Sequence, residues 1–471
     1  MPTSFTESID LIVAAPDGCA VEPLRGRGGL AGTLVAIKDR YFLIPRGPEW
    51  ATDMADLLAR APKVLCWDLR RLHDWPLDDR WPVLDARCLL GGETSILRVA
   101  QRRADKDPTW ARLAYLEERM AAHLKALAVT GMDLPASQAA PERLILEWAF
   151  ARAQGILRLS EELRDLDEYL LRWPFVRALR EVERNGIAID QDFVDRQLLS
   201  GSPDQAAKGA LRSLQGLSRD GRVLSLCNPM GGKTGRLRHE GGFNTLAIPH
   251  GLARQAIISR YPAGQIASFD FNAIDYRCIV NSVGGDVRRS YHGAKDFHER
   301  TASFIFREVR PNLREAIKYL SYIYIYGGSE ATLIEKTGWT EEQVRSVLER
   351  LDTRIGPIKE FREKLWMQAQ EDGFVEVPGG RRAPVGNDPS PGKVIGLYAQ
   401  SYSSWVFEQA FVRVHRHLVG KRSQVIFAVH DELVIDMHPD ELDIVGRIQE
   451  LMQLDGHAVA YEIGKSYGEL A

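Results

Sequence analysis

The chain has 471 residues, of which 45% are hydrophobic and 27% charged, and its formal net charge is −3. This length and composition predict a soluble globular protein with two or three domains. The charge excludes a global basic field, so a polyanion would have to bind in a local groove. The five cysteines form no CxxC pair, which argues against a zinc site and for a reducing compartment. With no signal peptide and no long apolar run, we expect a cytoplasmic protein without a membrane partner.

The first 170 residues predict an α/β domain, because short apolar strands alternate with stretches of helical spacing. The strands are predicted at 9–14, 33–45 (in two parts) and 63–67, and the helices at 51–61 and through most of 94–170. An amphipathic helix follows, beginning after Pro174 and ending at Asn185-Gly186, where a glycine favours termination. Residues 191–222 are helix-prone, with a break at 201–203.

Residues 222–234 come close to the pattern of a phosphate-binding loop, in which a strand leads into a segment ending in Gly-Gly-Lys-Thr. Such a loop has a glycine where Cys227 stands, and Pro229 removes one of the backbone N–H donors that the loop would use. We therefore do not expect an ATP-binding loop at this position.

The run from Ile266 to Arg277 predicts a buried strand that ends in Asp270, followed by a helix start that carries Asp275. The end of a strand is a rigid place for a carboxylate, which suits metal binding. From this run alone, the interpretation of Asp270 as a simple strand-end residue stays open.

The segment from Arg314 to Gly328 allows two interpretations. As a helix, it places Arg314, Lys318, Tyr322 and Tyr326 on one stripe about 18 Å long, with two cations for phosphates and two aromatic rings for stacking. The alternation Tyr-Ile-Tyr-Ile-Tyr before Gly-Gly instead predicts a strand and a turn. Sequence pattern alone does not decide between them.

The last third predicts helices and two hairpins. Helices are predicted at 332–350, 357–371 and 393–417, the last carrying Gln400, and a hairpin at 373–382 with two arginines just beyond it. Val425 to Asp436 predicts a second hairpin, whose turn presents His430, Asp431 and Glu432. Polar residues at a turn are usually only solvated. A functional role for Asp431 therefore requires a second carboxylate close in space.

These motifs follow one another in an order that is typical of one family. The order is Thr234-Gly235-Arg236, the strand ending in Asp270, Asp296-x-His298, the Arg-xxx-Lys-xxx-Tyr-xxx-Tyr-Gly run, the Gln400 helix and the His-Asp-Glu turn. In this combination, residues 171–471 resemble the polymerase domain of family A, the DNA polymerase I family, in a phage-like form. The resemblance implies an α+β multidomain protein with a right-hand polymerase fold of palm, fingers (about 290–372) and short thumb (about 185–230).

The implied function is DNA-templated DNA synthesis in replication or repair, with primer–template DNA and dNTPs as partners. The implied location is the cytoplasm of a bacterium or of a phage-infected host. Two Mg²⁺ ions, or Mn²⁺ in their place, would activate the primer 3′-hydroxyl and stabilise charge on the phosphates. The resemblance assigns metal binding to Asp270, Asp431, the Phe271 carbonyl and the supporting Glu432.

The resemblance also assigns substrate contacts. Nucleotide binding falls to Arg314, Lys318, His298, Tyr322, Tyr326 and Asp275, and Lys318 also belongs to the catalytic set. DNA binding falls to Arg236, Thr234, Gln400, His430 and Arg254.

Departures from the family pattern carry their own expectations. Asp275 stands where glutamate is usual, at the position that excludes a 2′-hydroxyl, so we expect weaker discrimination against ribonucleotides. Tyr322 stands where many members have phenylalanine, a variant that the family associates with tolerance of dideoxynucleotides. The segment between Asp190 and Thr234 is too short for the usual pair of long thumb helices. A smaller contact with the duplex backbone should lower processivity and salt tolerance, and an accessory processivity protein is expected to compensate.

Residues 1–170 resemble the family's 3′–5′ exonuclease domain, an RNase H-like α/β unit, through strand order and the run from Val83 to Leu90. That domain needs Asp-x-Glu on its first strand, which we place at Ile12–Ala15, where no acid occurs. Trp148 and Arg152 stand where a tyrosine and a metal-binding aspartate belong. We therefore expect a degenerate exonuclease domain that serves as a structural platform and provides no proofreading.

Two other functions remain as alternatives. A single-subunit RNA polymerase, or a ribonucleotide-tolerant polymerase, would share the carboxylates and the Arg/Lys pattern, but RNA polymerases lack an acid at the position of Asp275. An inactive primer–template-binding protein would not require both Asp270 and Asp431.

Overall fold

The structure, a computed structural model, forms two compact units, Met1–Glu181 and Val182–Ala471. The boundary between them falls inside the Trp173–Asn185 helix. The structure describes residues 12, 15, 18–26, 29–37, 40–72, 75–77, 79–80, 83–89, 96–105, 107–126, 142–159, 166–200, 205–291, 293–294, 296–307, 311–327 and 330–470.

The first unit is built on a five-stranded sheet with the order β3-β2-β1-β4-β5. Its strands are β1 Cys19–Gly26, β2 Gly29–Ile37, β3 Arg40–Pro45, β4 Val64–Cys66 and β5 Val83–Asp85. The strand pair predicted within 33–45 and the strand predicted at 63–67 are confirmed. The strand predicted at 9–14 is wrong at Ile12, which is helical, and its other residues lie outside the described ones. The prediction missed β1, whose Pro23 and Gly26 are unfavourable in strands.

The helices of the first unit form where apolar residues recur at helical spacing. The helix that begins at Trp50 buries Trp50, Met54, Leu57 and Leu58 along one face. The helices of the first unit are Trp50–Arg60, Leu69–Leu72 (3₁₀), Ala86–Leu89, Ile96–Arg103, Pro108–Ala126, Glu142–Leu159, Leu166–Leu171 and Trp173–Asn185, the last running into the second unit.

The second unit contains a four-stranded antiparallel sheet with the order β13-β14-β10-β15 and three two-stranded sheets. Its strands are β6 Ile187–Ala188, β7 Arg222–Val223, β8 Ser225–Asn228, β9 Arg238–Gly242, β10 Gln265–Phe271, β11 Phe374–Val377, β12 Arg381–Pro384, β13 Gln424–Val429, β14 Glu432–Met437 and β15 Val459–Gly464. The register places Asp270 opposite Glu432 on one side and Ala460 on the other. The sheet therefore brings together strands that are far apart in sequence.

The helices of the second unit are Gln191–Leu199, Gln205–Leu217, Thr245–Ala247 (3₁₀), Leu252–Gln255, Ile274–Val283, Gly285–Tyr291, Phe297–Phe306, Pro311–Tyr326, Glu330–Thr337, Glu341–Ile355, Pro357–Asp372, Pro391–Leu418, Pro439–Ile444 (3₁₀), Val445–Met452 and Tyr467–Glu469 (3₁₀). The helix predicted at 332–350 is in fact two helices. Gly338, with φ of 69°, ends the first, and a capping box at Thr340 begins the second.

The Pro311–Tyr326 segment is a helix, so the strand alternative for it is wrong. Its buried Ile317, Leu320 and Tyr324 lie in an apolar core that the neighbouring helices share. This packing overrides the strand preference of alternating tyrosine and isoleucine. At the end of the helix, Arg362 Nη1 donates to the carbonyls of Tyr324 and Ile325 at 3.3 Å each.

The Pro391–Leu418 helix begins against the end of the Pro311–Tyr326 helix. A Cβ at Gly392 would lie 1.9 Å from the Tyr326 carbonyl oxygen, so only glycine fits this crossing. The hairpin predicted at 373–382 is present, but Arg381 and Arg382 lie on its second strand and not beyond it. The segment that follows β8 turns into β9 and not into a helix, which agrees with the exclusion of a phosphate-binding loop. In the part of the chain that is described, no helix is both long and apolar enough to cross a membrane.

Candidate active site

The four-stranded sheet of the second unit brings two aspartates together. Asp270 stands near the end of β10, and Asp431 lies in the turn between β13 and β14. The Phe271 N–H donates to the Asp431 carbonyl at 3.4 Å, which ties the strand end to the turn. His430, with φ of 55°, adopts the left-handed backbone that this tight turn requires. Asp431 thus has the nearby carboxylate that a functional role requires.

Asp270 and Asp431 lie close to other acidic groups, and both carboxyl groups have raised pKa values. The Asp270 side chain reaches solvent, but the protein atoms around its carboxylate remove hydration and, with Asp431 and Glu432, raise its pKa to about 8. Burial likewise raises the pKa of Asp431 to about 6, against the opposing effect of Arg236. A bound cation would relieve this repulsion.

Glu432, the third acid, is held on both carboxylate oxygens. Its Oε1 accepts from Ser268 Oγ at 2.5 Å, and its Oε2 accepts from the Tyr467 hydroxyl at 2.9 Å. The Arg254 guanidinium lies over the Tyr467 ring, 4.6 Å from its centroid. Glu432 is therefore fixed in place beside Asp270.

These acids fit a divalent cation. Within the described residues, no group of three or more histidine, cysteine or acidic side chains is arranged to hold a metal ion. Mg²⁺, however, is commonly bound by one or two carboxylates together with water and substrate phosphates, not by a complete protein cage. Asp270 and Asp431 supply that donor set, and the Phe271 carbonyl stands next to it in the chain.

Asp275 is paired with an arginine. It lies in the first turn of the Ile274–Val283 helix, and both its carboxylate oxygens accept from Arg236 Nη2, at 2.8 and 3.0 Å. The same nitrogen lies 3.4 Å from Ser403 Oγ, and the Arg236 N–H donates to Thr234 Oγ1 at 3.5 Å. Thr234 and Arg236 from one predicted motif and Asp275 from another therefore form one cluster.

The position between Thr234 and Arg236 requires a glycine for steric reasons. Gly235 has φ of 74°, and a Cβ there would lie 1.6 Å from Nη1 of the buried Arg381. The Thr-Gly-Arg motif is thus a turn that packs directly against this arginine.

Gln400 and His430 stand beside the same cluster. Gln400 is half-buried on the Pro391–Leu418 helix, where its backbone carbonyl accepts from Ser403 Oγ at 3.1 Å. His430 is exposed at its turn, but the protein atoms around its ring remove part of its hydration and, with Arg236, lower its pKa. Ser401, Ser403 and Ser404, which follow Gln400 on this helix, are buried.

The Pro311–Tyr326 helix displays the predicted stripe. Lys318 and Tyr322 are exposed, and the rings of Tyr322 and Tyr326 lie 4.6 Å apart. Arg314 Nε and Nη2 donate to one oxygen of Asp296 at 2.9 and 2.7 Å. Asp296 also caps the helix that carries His298, so the two helices share this carboxylate.

His298 is buried next to these cations. Burial lowers its pKa to about 4, with Arg314 and Lys318 adding to the effect and Asp296 and Glu315 opposing it. The side chain is neutral at pH 7. Its Nδ1 has no hydrogen-bond partner within the described part of the chain.

The sequence did not single out Ser268, Ser403 or Tyr467. Ser268 carried a usable signal, because it stands two residues before Asp270 and therefore on the same face of β10. Ser403 and Tyr467 carried no such signal, because their partners, Arg236 and Glu432, lie 167 and 35 positions away in the sequence.

The first unit holds a different acidic cluster. Glu22 on β1 and Glu117 lie on either side of the buried Arg152, at 3.3 Å from Nε and 2.5 Å from Nη1. Burial alone would lower the pKa of Arg152, but Glu117 and Glu22 raise it on balance. The expectation that the first strand offers no acid is wrong for β1, the first described strand, because it carries Glu22. Trp148 packs on Arg152, with its ring centroid 4.9 Å from the guanidinium carbon.

Comparisons with known proteins identify the family of this chain. A sequence model of DNA polymerase family A matches residues 205–469. A DNA polymerase I of Chloroflexus aurantiacus is 22% identical over 463 residues, covering 89% of this chain and 48% of the relative. A DNA polymerase of Mycobacterium phage D29 is 26% identical over 261 residues, covering 53% of this chain and 42% of the relative. The solved POL domain of Pol1 from M. smegmatis, in complex with DNA primer-template and dNTP, is similar with a TM-score of 0.67, at 17% identity and 99% coverage of both chains.

The family match extends over more than half of the sequence, and the chain therefore belongs to DNA polymerase family A. The mixed helix and strand fold is that of a family A polymerase domain, as the resemblance predicted. The chain spans less than half the length of the curated relatives named above.

Proposed function

We propose that this chain is a DNA-templated DNA polymerase in which Asp270 and Asp431 carry the metal-dependent chemistry. The observation that supports it is the meeting of these two crowded carboxylates at one end of an antiparallel sheet. The family membership makes primer–template DNA and dNTPs the expected partners. Mg²⁺, when bound, would lower the pKa of the primer 3′-hydroxyl and stabilise charge on the phosphates.

The protein's own groups divide the remaining work. Asp270 and Asp431 hold negative charge where the cations bind, and the Phe271 carbonyl offers a neutral oxygen ligand. Lys318 is exposed on the Pro311–Tyr326 helix, where its ammonium meets the triphosphate. Arg314 contributes a second cation after it exchanges Asp296 for phosphate oxygens. Tyr322 and Tyr326 offer ring faces to the nucleotide and the template base.

His298 acts in this proposal as a neutral hydrogen-bond donor. Its low pKa keeps the ring uncharged at pH 7, so it donates to the triphosphate without adding a third positive charge beside Arg314 and Lys318. Its Nδ1, which lacks a partner among the described residues, leaves hydrogen-bonding capacity for substrate.

Asp275 is proposed to be the sugar gate. Its bidentate pairing with Arg236 holds the carboxylate toward the cluster that is expected to contact the primer terminus. The side chain is one methylene shorter than the usual glutamate, which leaves more room for a 2′-hydroxyl. Arg236, Thr234, Gln400 and His430 form the proposed contact with primer–template DNA.

The first unit is proposed to be an inactive exonuclease-type platform. Arg152 places a permanent positive charge between two glutamates, where a divalent cation would otherwise be attracted. The proposed thumb has helices of only 9 and 13 residues, so an accessory processivity protein is part of the proposal. We further propose that the protein acts in DNA replication or repair in the cytoplasm of a bacterium or of a phage-infected host.

Primer extension with Mg²⁺ tests the central proposal. We expect the parent to extend a primer with dNTPs, Asp431→Asn to be inactive, and Asp440→Asn, at an exposed site beyond β14, to match the parent. An inactive parent, or an active Asp431→Asn, would contradict the proposal. Degradation of a mismatched primer by the parent would separately contradict the inactive-exonuclease part.

A further inference from the structure

The two hydrogen bonds on Glu432 come from neutral donors on different elements. Ser268 donates from β10 itself, two residues from Asp270 on the same face, while Tyr467 donates from the 3₁₀ turn Tyr467–Glu469. A carboxylate that accepts two such bonds keeps one rotamer and keeps its charge stabilised. Glu432 is thus a fixed negative charge directly across the strand pair from Asp270.

Tyr467 is itself rigidly placed. Its side chain is fully buried in the apolar core beneath the sheet, where Phe427 packs edge-on at 5.4 Å. Its backbone N–H donates to the Ile257 carbonyl at 2.9 Å, and Arg254 covers its ring. A ring held on these sides aims its hydroxyl in one direction, toward Glu432.

The neighbouring Gly468 explains why this turn sits so close. A Cβ at Gly468 would lie 2.5 Å from the backbone nitrogen of Gln255, so the turn packs directly on the Leu252–Gln255 helix. The same helix carries Arg254. One short helix therefore positions both the turn and the cation above the tyrosine ring.

We propose that Tyr467 is a positioning residue for the carboxylate centre, acting through Glu432 to set the negative field that a divalent cation meets at Asp270. The inference rests on the proposed function, and it deepens that function by naming what tunes the cation affinity. It also assigns Arg254, which the family resemblance places among the DNA contacts, to the support of Tyr467. Loss of the hydroxyl leaves one Glu432 oxygen without its donor, so the carboxylate rotates away from its fixed place.

Direct cation binding tests this without requiring turnover. Mn²⁺ binding to the whole chain, followed by electron paramagnetic resonance, is expected to weaken about three- to tenfold in Tyr467→Phe, the range that one neutral hydrogen bond corresponds to. Tyr461→Phe is the matched control, because it removes an exposed hydroxyl from β15 and leaves the contacts of Glu432 intact. Ser268→Ala, which removes the donor on the other oxygen, is expected to weaken binding in the same range.

A double-mutant cycle separates positioning from general destabilisation. In a Glu432→Gln background, Tyr467→Phe is expected to change Mn²⁺ affinity by less than about twofold, because the partner charge is gone. In primer extension, the Mg²⁺ concentration for half-maximal rate should rise in Tyr467→Phe, while the rate at saturating Mg²⁺ stays close to that of the parent.

Each result decides the inference. Unchanged Mn²⁺ affinity in Tyr467→Phe would overturn it, and so would an equal loss for Tyr467→Phe in the parent and Glu432→Gln backgrounds. If Tyr467→Phe does not fold, Arg254→Met, which removes the cation over the Tyr467 ring, carries the test, and unchanged Mn²⁺ affinity in that variant would overturn the inference. A parent that binds Mn²⁺ but extends no primer would contradict the proposed function, and the Mn²⁺ titration would still decide the role of Tyr467.

Discussion

The two units of this chain each enclose a cluster of acids, and they neutralise those acids differently. In the first, Glu22 and Glu117 lie against Arg152, and all three side chains are buried. In the second, Asp270 has negative neighbours, Asp431 and Glu432, which help to raise its pKa to about 8. An acid cluster with its own cation is a structural element, whereas one that accumulates negative charge is suited to recruit a cation from solution.

The largest expected effect concerns the cluster with excess negative charge. If Asp270 binds the metal as proposed, Asp270→Asn should lower primer extension roughly a thousandfold, because several kcal/mol of transition-state stabilisation would depend on that metal. With a folded-state pKa of about 8, Asp270 must take up a proton on folding at pH 7, and asparagine removes that cost, so we expect the apparent Tm at pH 7 to rise. Primer-extension rates check the expected loss of activity, and thermal unfolding of the same preparations checks the expected rise in Tm. A variant that loses both activity and stability would show that Asp270 supports the fold.

The reverse should hold for the cluster that contains its own cation. Arg152→Met should destabilise the first unit by about 3–5 kcal/mol, since it removes the cation that pairs with two buried carboxylates. Urea unfolding followed by tryptophan fluorescence measures this, with Trp148 packed on the guanidinium as a reporter.

The control for Arg152→Met removes the charges of the two glutamates as well as that of the arginine. A triple variant that adds Glu22→Gln and Glu117→Gln to Arg152→Met should recover much of the lost stability, because no uncompensated charge remains. If the triple variant is as unstable as Arg152→Met, the arginine matters through packing alone and the electrostatic contrast between the units fails.

His298 sharpens the comparison, because it is a titratable group buried beside cations of its own unit. Its folded-state pKa of about 4 lies below the ordinary 6.5, so the unfolded state binds the proton more tightly at intermediate pH. Stability should therefore be unaffected above about pH 7 and should fall by about 2 kcal/mol from pH 7 to pH 5 through this residue. Denaturant unfolding of the parent and His298→Gln at the two pH values measures it. An identical pH dependence in both proteins would contradict the expectation.

Asp275 represents an intermediate case, a partly exposed carboxylate with its own arginine. Asp275→Glu restores the usual length, and we expect discrimination against ribonucleotides, measured as the ratio of kcat/KM for dNTP and rNTP, to rise about tenfold. Asp286→Glu, at an exposed position in the same unit, is the control and should leave the ratio unchanged. Equal discrimination by Asp275→Glu and the parent would remove the basis for calling Asp275 the gate.

The apolar strand patterns around Asp270 and Asp431 predicted where each residue stands, but only the family resemblance predicted that the two carboxylates meet. The sequence predicted less where long-range contacts decide the outcome. The Pro311–Tyr326 helix has a strand-like tyrosine and isoleucine pattern, and only its shared core makes it helical. Strand β1 escaped prediction because proline and glycine interrupt it, and with it the buried Glu22 was missed. No local pattern reveals Tyr467, whose role depends on a partner 35 residues away.

The close contact at Gly392 fixes the Pro311–Tyr326 helix at its C-terminal end, so a tilt of the helix about that end would move its N-terminal residues most. Gly392 packs directly on the Tyr326 backbone because it has no side chain, and Arg362 donates to the carbonyls of the two residues before Tyr326. Arg314 lies about 18 Å along the helix from this point, so a tilt of about 10° at that end would carry its guanidinium roughly 3 Å. Such a tilt would move Arg314 by about the length of a hydrogen bond and would leave Tyr326 almost in place.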